Sequence, residues 1–259
     1  MKARLAALFL LLAAPAIAAP PPDLRGFEYQ QRPGSQLPLD TVFRDETGRS
    51  LRLAEVAGGK SLILALVYFN CPNLCGIVRT DLFDALSKTG MAAGRDYALV
   101  ALSIDPSETP QDAKAAKAAD IARYPLPEAD AGWHFLTGAP DAVQAVAEAV
   151  GFRDRFDPQL KQFVHPAGIV FVTPKGVVSS YLLGVGYAPN DVRLGVTRAD
   201  LGSVAAAALP VLLLCYHYDP QTGRYTLSIL KLLRLAGAIT VLTIGGAIYL
   251  ALRRERSRA

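Results

Sequence analysis

Long apolar runs without polar alternation dominate the middle of the chain. Leu62 to Phe69 and Tyr97 to Ser103 carry no charged residue, the pattern of strands buried on both faces of a sheet. Gly132 to Leu136 and Ala167 to Val172 predict two further strands. Pro174-Lys175-Gly176 predicts a hairpin turn into a last partner from Val177 to Leu183. Between these runs the spacing turns helical. One helix is expected from Pro72 to about Ser87. A second runs from Gln111 to about Arg123, with Thr109 as N-cap and Pro110 at the first helical position. Asp141 to Val150 predicts a helix ended by Gly151. Asp191 to about Leu213 predicts another, which Pro210 can break. Near the start, Leu39 to Phe43, a turn at Glu46-Thr47-Gly48 and Ser50 to Leu53 read as a short strand-turn-strand unit.

Strands alternating with helices imply an α/β domain whose sheet is covered on both faces. A strand, a helix bearing two cysteines, then β-α-β-α and a closing hairpin is the order of a thioredoxin-like fold. Two apolar blocks lie outside it. Lys2 and Arg4, the apolar stretch Leu5 to Ala14 and the exit Ala16-Ile17-Ala18 have the layout of a secretory signal peptide, with cleavage expected after Ala18. Leu235 to Leu252 carries no charge and is followed by Arg253, Arg254, Arg256 and Arg258 against the single acid Glu255. A stretch of about 20 apolar residues crosses a bilayer, and the basic tail orients the C-terminus to the cytoplasm. The expected architecture is therefore an α/β, thioredoxin-like fold with a C-terminal transmembrane helix. Its parts are a signal peptide (1–18), an extended leader (19–38), the domain (39–214), a juxtamembrane segment (215–228), the transmembrane helix (229–252) and a basic tail (253–259). The domain would face the periplasm from the inner membrane.

That placement changes the meaning of the charge. The formal net charge is +4, but Ala19 to Thr226 holds 19 basic and 22 acidic residues. The exported part is mildly acidic, with no basic stripe for nucleic acid. Three cysteines exclude a disulfide-stapled mini-domain, and about 200 exported residues bury a core without such help. Outside the cytoplasm a close thiol pair is oxidised unless a metal or a dedicated reductant keeps it open.

Cys71-Pro-Asn-Leu-Cys75 is such a pair, placed where the first long strand gives way to a helix. Residues four apart share a helix face with Cβ atoms about 5–6 Å apart. The helix start favours thiolates through its free N–H groups and dipole. Spacing by three residues opens the pair more than the two-residue spacing of thioredoxin-type oxidoreductases, which suits two sulfurs on one metal. Inert thiols or a structural disulfide are the alternatives. His165, in Phe163-Val-His-Pro-Ala-Gly-Ile169, precedes the strand that enters the closing hairpin. In a thioredoxin-like sheet that loop faces the start of the first helix. Two thiolates and one imidazole suit copper, and zinc would accept the same set with a fourth donor. Asp105 ends the second long strand, either supporting the site from behind or capping its own Asp-Pro turn. Cys215 and His217, two residues apart, can bind a metal if their segment is extended, or form a buried structural thiol with a packed imidazole; His134 has no assigned chemistry, and Asp81 is expected as a solvated helix position.

Three segments together carry a resemblance: Tyr68-Phe-Asn-Cys-Pro-Asn-Leu-Cys75, Ser103-Ile-Asp-Pro-Ser-Glu-Thr-Pro110 and Phe163 to Gly176. From about Leu39 to Leu183 the chain resembles the SCO/SenC family of membrane-tethered, thioredoxin-fold copper proteins that act in cytochrome c oxidase assembly. The resemblance implies Cys71, Cys75 and His165 as ligands of one copper ion. It implies an oxidase copper-site subunit or its assembly factors as partners, and a periplasmic thiol reductant beside them. Gly76 stands where the family often has Pro, and Glu108 where it often has Asp. A C-terminal anchor replaces the usual N-terminal one. The resemblance implies a metallochaperone more than a turnover enzyme, with thiol–disulfide exchange on a client's cysteines as the alternative.

Overall fold

A computed structural model describes residues 28–70, 75–126, 128–158, 161–205, 216–219, 224–227, 237 and 239–246. A five-stranded sheet organises it. Its strands are β3 (Leu62–Val67), β4 (Ala98–Ser103), β5 (Trp133–Leu136), β8 (Gly168–Val172) and β9 (Val178–Leu183), in the order β5-β4-β3-β8-β9. β3, β4 and β5 are parallel, whereas β8 runs antiparallel to β3 and β9 antiparallel to β8. The parallel strands are joined through helices, as parallel pairing requires. Those helices are α2 (Cys75–Ser87) between β3 and β4, then α3 (Pro110–Arg123) and the short α4 (Ala129–Gly132) between β4 and β5. α5 (Pro140–Ala149) follows β5, and α6 (Pro189–Asp200) follows β9. A small hairpin of β1 (Val42–Arg44) and β2 (Ser50–Arg52) runs into α1 (Leu53–Ala57).

Every residue of β3 and β4 is buried, and alternate side chains enter two separate cores. Ile63, Ala65 and Val67 join α2, α3 and α6 on one face, around Phe83, Trp133, Phe135 and Phe171. Leu62, Leu64, Leu66 and Tyr68 join α1 and α5 on the other, with Phe43, Phe152 and Val170. The unbroken apolar runs follow from this: a strand covered on both sides has no polar face to show.

α3 starts where expected. Thr109 caps it in a reciprocal box with Asp112, and Pro110 is its first residue. The final predicted helix is shorter than the apolar pattern suggested. α6 ends at Asp200, and the chain turns through Gly202 at φ +69°, a left-handed conformation that ends helices readily. Residues 28–38, assigned to the leader, are seated on the domain. Gln30 donates to the Gly151 carbonyl at 2.7 Å and Gly34 to that of Val178 at 2.8 Å, and Leu37 is buried. Gly151 has φ +64°, and a Cβ there would meet the Gln30 carbonyl oxygen at 1.9 Å, so only glycine permits this seam.

The apolar pattern did not predict the hairpin of β6 (Arg155–Asp157) with β7 (Gln162–Val164). The juxtamembrane segment contains a further antiparallel pair, β10 (Tyr216–Asp219) with β11 (Arg224–Leu227). Residues 239–246 are helical and exposed. Among the described residues no helix is long and apolar enough to cross a membrane. The signal segment, the rest of the predicted anchor and the basic tail lie outside the described residues.

Candidate metal centre

β3 delivers the chain to the thiols. Cys71 lies outside the described residues, and Cys75 is described only as the first residue of α2. Tyr68 is three residues before Cys71, so chain length holds the two backbones within about 10 Å of each other. The exit of β3 is thus a marker for the dithiol segment.

His165 lies beside that marker. β7 runs directly into it, and its ring centroid is 5.8 Å from that of Tyr68 at an interplanar angle of 71°. Phe152 approaches the imidazole at 6.0 Å, and Phe163 lies edge-on to Tyr68 at 6.0 Å. Nδ1 is 3.0 Å from the Pro166 carbonyl oxygen. A carbonyl can only accept, so Nδ1 carries the proton and Nε2 keeps its lone pair. Nε2 is buried and has no hydrogen-bond partner among the described residues. Burial lowers the imidazole pKa, with the Pro166 contact opposing the shift; the neutral form is favoured. A neutral imidazole, fixed through Nδ1 on a backbone carbonyl and presenting a bare Nε2, is the arrangement of a metal-ligating histidine. Copper and zinc both accept it. The soft character of two thiolates, were they to complete the set, favours copper.

The hydroxyl of Tyr68 is likewise buried without a hydrogen-bond partner among the described residues. Burial raises its pKa, and the nearby carboxylates of Asp105 and Glu108 add to the effect. A neutral phenol and a neutral imidazole therefore share this end of the sheet. Among the described residues no three His, Cys, Asp or Glu side chains form a metal-binding group; the expected set needs the sulfurs of Cys71 and Cys75.

Asp105 is turned into its own loop. Its Oδ1 accepts from the Ser107 amide at 2.8 Å and the Ser107 hydroxyl at 2.6 Å, the turn-capping arrangement. Asp81 accepts from the Gly186 amide at 2.7 Å, tying α2 to the loop before α6, and is not simply solvated. His134 is half-buried in β5, and burial lowers its pKa. Cys215 lies outside the described residues, and His217 is on β10.

Glu108 has a structural role that its motif position alone did not reveal. It accepts from the amides of Phe69 and Asn70 and from the Ser103 hydroxyl. Arg79, one turn into α2 from Cys75, pairs with Asp120 at 2.8 Å inside the protein. Its guanidinium lies 5.8 Å from the Phe69 ring centroid and 5.9 Å from that of Phe135. The sequence signal for Glu108 was its place in the Asp-Pro loop, but its contacts to the two amides become visible only when β3 and β4 are laid side by side.

Comparison with known proteins bears on the family and the fold. The SCO1/SenC family model matches residues 32–191. No match is found among the curated proteins. The SCO1/SenC family lipoprotein from Bacillus anthracis str. Ames superposes with a TM-score of 0.53 at 18% identity, over 65% of this chain and 97% of its own. BsSco, a member of the Sco family of cytochrome c oxidase assembly proteins in which a disulfide switch was identified, gives 0.50 at 22% identity, over 65% and 96%. Arabidopsis thaliana ScoI with copper bound gives 0.50 at 18%, over 65% and 98%. At these identities the structural likeness establishes the fold. With the family match spanning most of the chain, including the β3 exit, the Glu108 loop and the His165 strand, this protein belongs to the SCO1/SenC family.

Proposed function

We propose that the protein is a membrane-anchored, extracytoplasmic copper carrier that acts in cytochrome c oxidase assembly, with Cys71, Cys75 and His165 holding one copper ion. The observation that carries this reading is the buried Nε2 of His165, without a hydrogen-bond partner among the described residues and beside the strand exit that leads within three residues to Cys71. Copper is the cargo here. The chain supplies two sulfurs and one imidazole, and the neutral state of the ring leaves a lone pair for the metal without first removing a proton. Membership of the SCO1/SenC family supports the same assignment, as does the copper bound in Arabidopsis thaliana ScoI. The signal-like start and the apolar block before the arginine tail support export and anchoring. Tethering would confine carrier and oxidase subunit to one surface and raise their effective concentration.

A second reading is favoured by the placement of Cys75 at the first residue of α2. A helix start stabilises thiolate, so the pair is also suited to reducing a client's cysteines. Titration of the reduced full-length chain with Cu(I) separates the two. Wild type is expected to bind one equivalent. His165→Ala is expected to weaken binding about 10- to 100-fold while thiol–disulfide exchange with a model disulfide stays intact. Unchanged Cu(I) affinity in His165→Ala would remove the imidazole from the ligand set and leave the reductase reading.

A further inference from the structure

The parallel ladder between β3 and β4 ends at a hydrogen bond from the Ile104 amide to the Val67 carbonyl, at 2.8 Å. The next amides on the β3 side, those of Phe69 and Asn70, are met by one side chain. Asn70 N–H donates to Glu108 Oε1 at 2.6 Å and Phe69 N–H to Glu108 Oε2 at 2.8 Å. The Ser103 hydroxyl donates to the same Oε2 at 2.6 Å. Glu108 is only 8% exposed, and a buried carboxylate is tolerated when donors of this kind surround it. A second link is outside the first: Asn70 Nδ2 donates to Asp112 Oδ1 at 2.8 Å. Asp112 is itself held by the amide and hydroxyl of Thr109 at 2.8 and 2.6 Å. The residue after Asn70 is Cys71.

We propose that Glu108 is the positioning residue of the dithiol. By gripping two successive amides it sets the direction in which the backbone leaves β3 and enters Cys71, and so the separation of the two sulfurs from the His165 ring. The inference rests on the copper and dithiol reading above and names the group that controls that site. The chemistry requires a carboxylate. Two adjacent amides need two coplanar acceptors, and a glutamine offers one acceptor and one donor, so Glu108→Gln must release one amide.

The test uses the full-length chain in detergent with Cys215→Ser as background, so that a third thiol does not interfere. Two quantities are measured. One is Cu(I) affinity by competition with a chromogenic chelator. The other is the equilibrium with glutathione, in which the Cys71–Cys75 bond forms as the sulfur–sulfur bond of oxidised glutathione breaks. The two protons and two electrons of the protein dithiol pass to two glutathione thiols. Glu108→Gln is expected to weaken Cu(I) binding about tenfold and to shift the glutathione equilibrium several-fold toward the protein dithiol, because the sulfurs are no longer held for closure. Asp45→Asn, a buried carboxylate in the β1–β2 turn, is the control for general loss of stability and should leave both quantities within twofold. If the glutamine variant does not fold, Glu108→Asp, which keeps both acceptors on a shorter arm, must move the same two quantities in the same directions. Wild-type values in the folded Glu108 variant, or equal losses in Asp45→Asn, overturn the inference. A wild type that binds no Cu(I), together with a shifted glutathione equilibrium in Glu108→Gln, sinks the copper reading and leaves the positioning role standing.

Discussion

Asp45 closes the β1–β2 turn by accepting from the amides of Thr47 and Arg49, each at 2.9 Å, and from the Thr47 hydroxyl at 2.6 Å. Burial pushes its carboxyl upward, but these hydrogen bonds outweigh it and hold the pKa below the usual carboxylate range. An acid with a depressed folded pKa contributes stability above its unfolded value, about 3.9, and loses it as pH falls through the folded one. Wild type is therefore expected to lose urea stability below about pH 4, and Asp45→Asn to show a shallower decline over the same window. The legibility of single residues in the sequence was uneven. Thr109 and Pro110 announce a helix start by local chemistry, and both occupy those positions. Glu108 and Tyr68 do not announce themselves, because their roles arise across strands and not along the chain.

At the scale of elements, the paired strands and the helices on both faces followed from apolar periodicity. The β6–β7 hairpin did not. Its members are three residues each and half-exposed or exposed, too short for an alternation to register, yet it delivers His165. The overlong reading of α6 has a similar cause: apolar residues continue past Asp200, but the left-handed turn at Gly202 stops the helix. Packing within α6 leads to a mutational test. A Cβ on Gly195 would meet the Phe171 ring at 2.4 Å, and Phe171 is buried in β8. Alanine is the better helix former by about 1 kcal/mol, but overpacking a filled core costs about 1–3 kcal/mol. Gly195→Ala is expected to lower stability in chemical denaturation, and a stabilised variant would show that the helix can move off the sheet freely.

For the whole molecule, the sheet, its two covers and the family match form the part that sequence and structure describe together. Anchoring belongs to the proposal, and it has a direct measurement. Expressed in a Gram-negative host, the full-length chain is expected to sediment with membranes and resist a high-salt wash, whereas a chain ending before residue 229 should appear in the periplasmic fraction. Recovery of both in the same soluble fraction would leave the arginine tail and its apolar approach without a membrane role.

Tyr68 and Phe69 are neighbours in the chain but lodge on opposite sides of the sheet, one with Phe152 and Phe163, the other against Phe135 and near Arg79. Whatever loosens or tightens either layer is transmitted to the same short peptide ahead of the first cysteine. Directed evolution for heat tolerance, even with every change confined to interior hydrocarbon side chains, should therefore produce a spread of copper affinities among its winners, and each winner needs assaying for cargo before it is adopted.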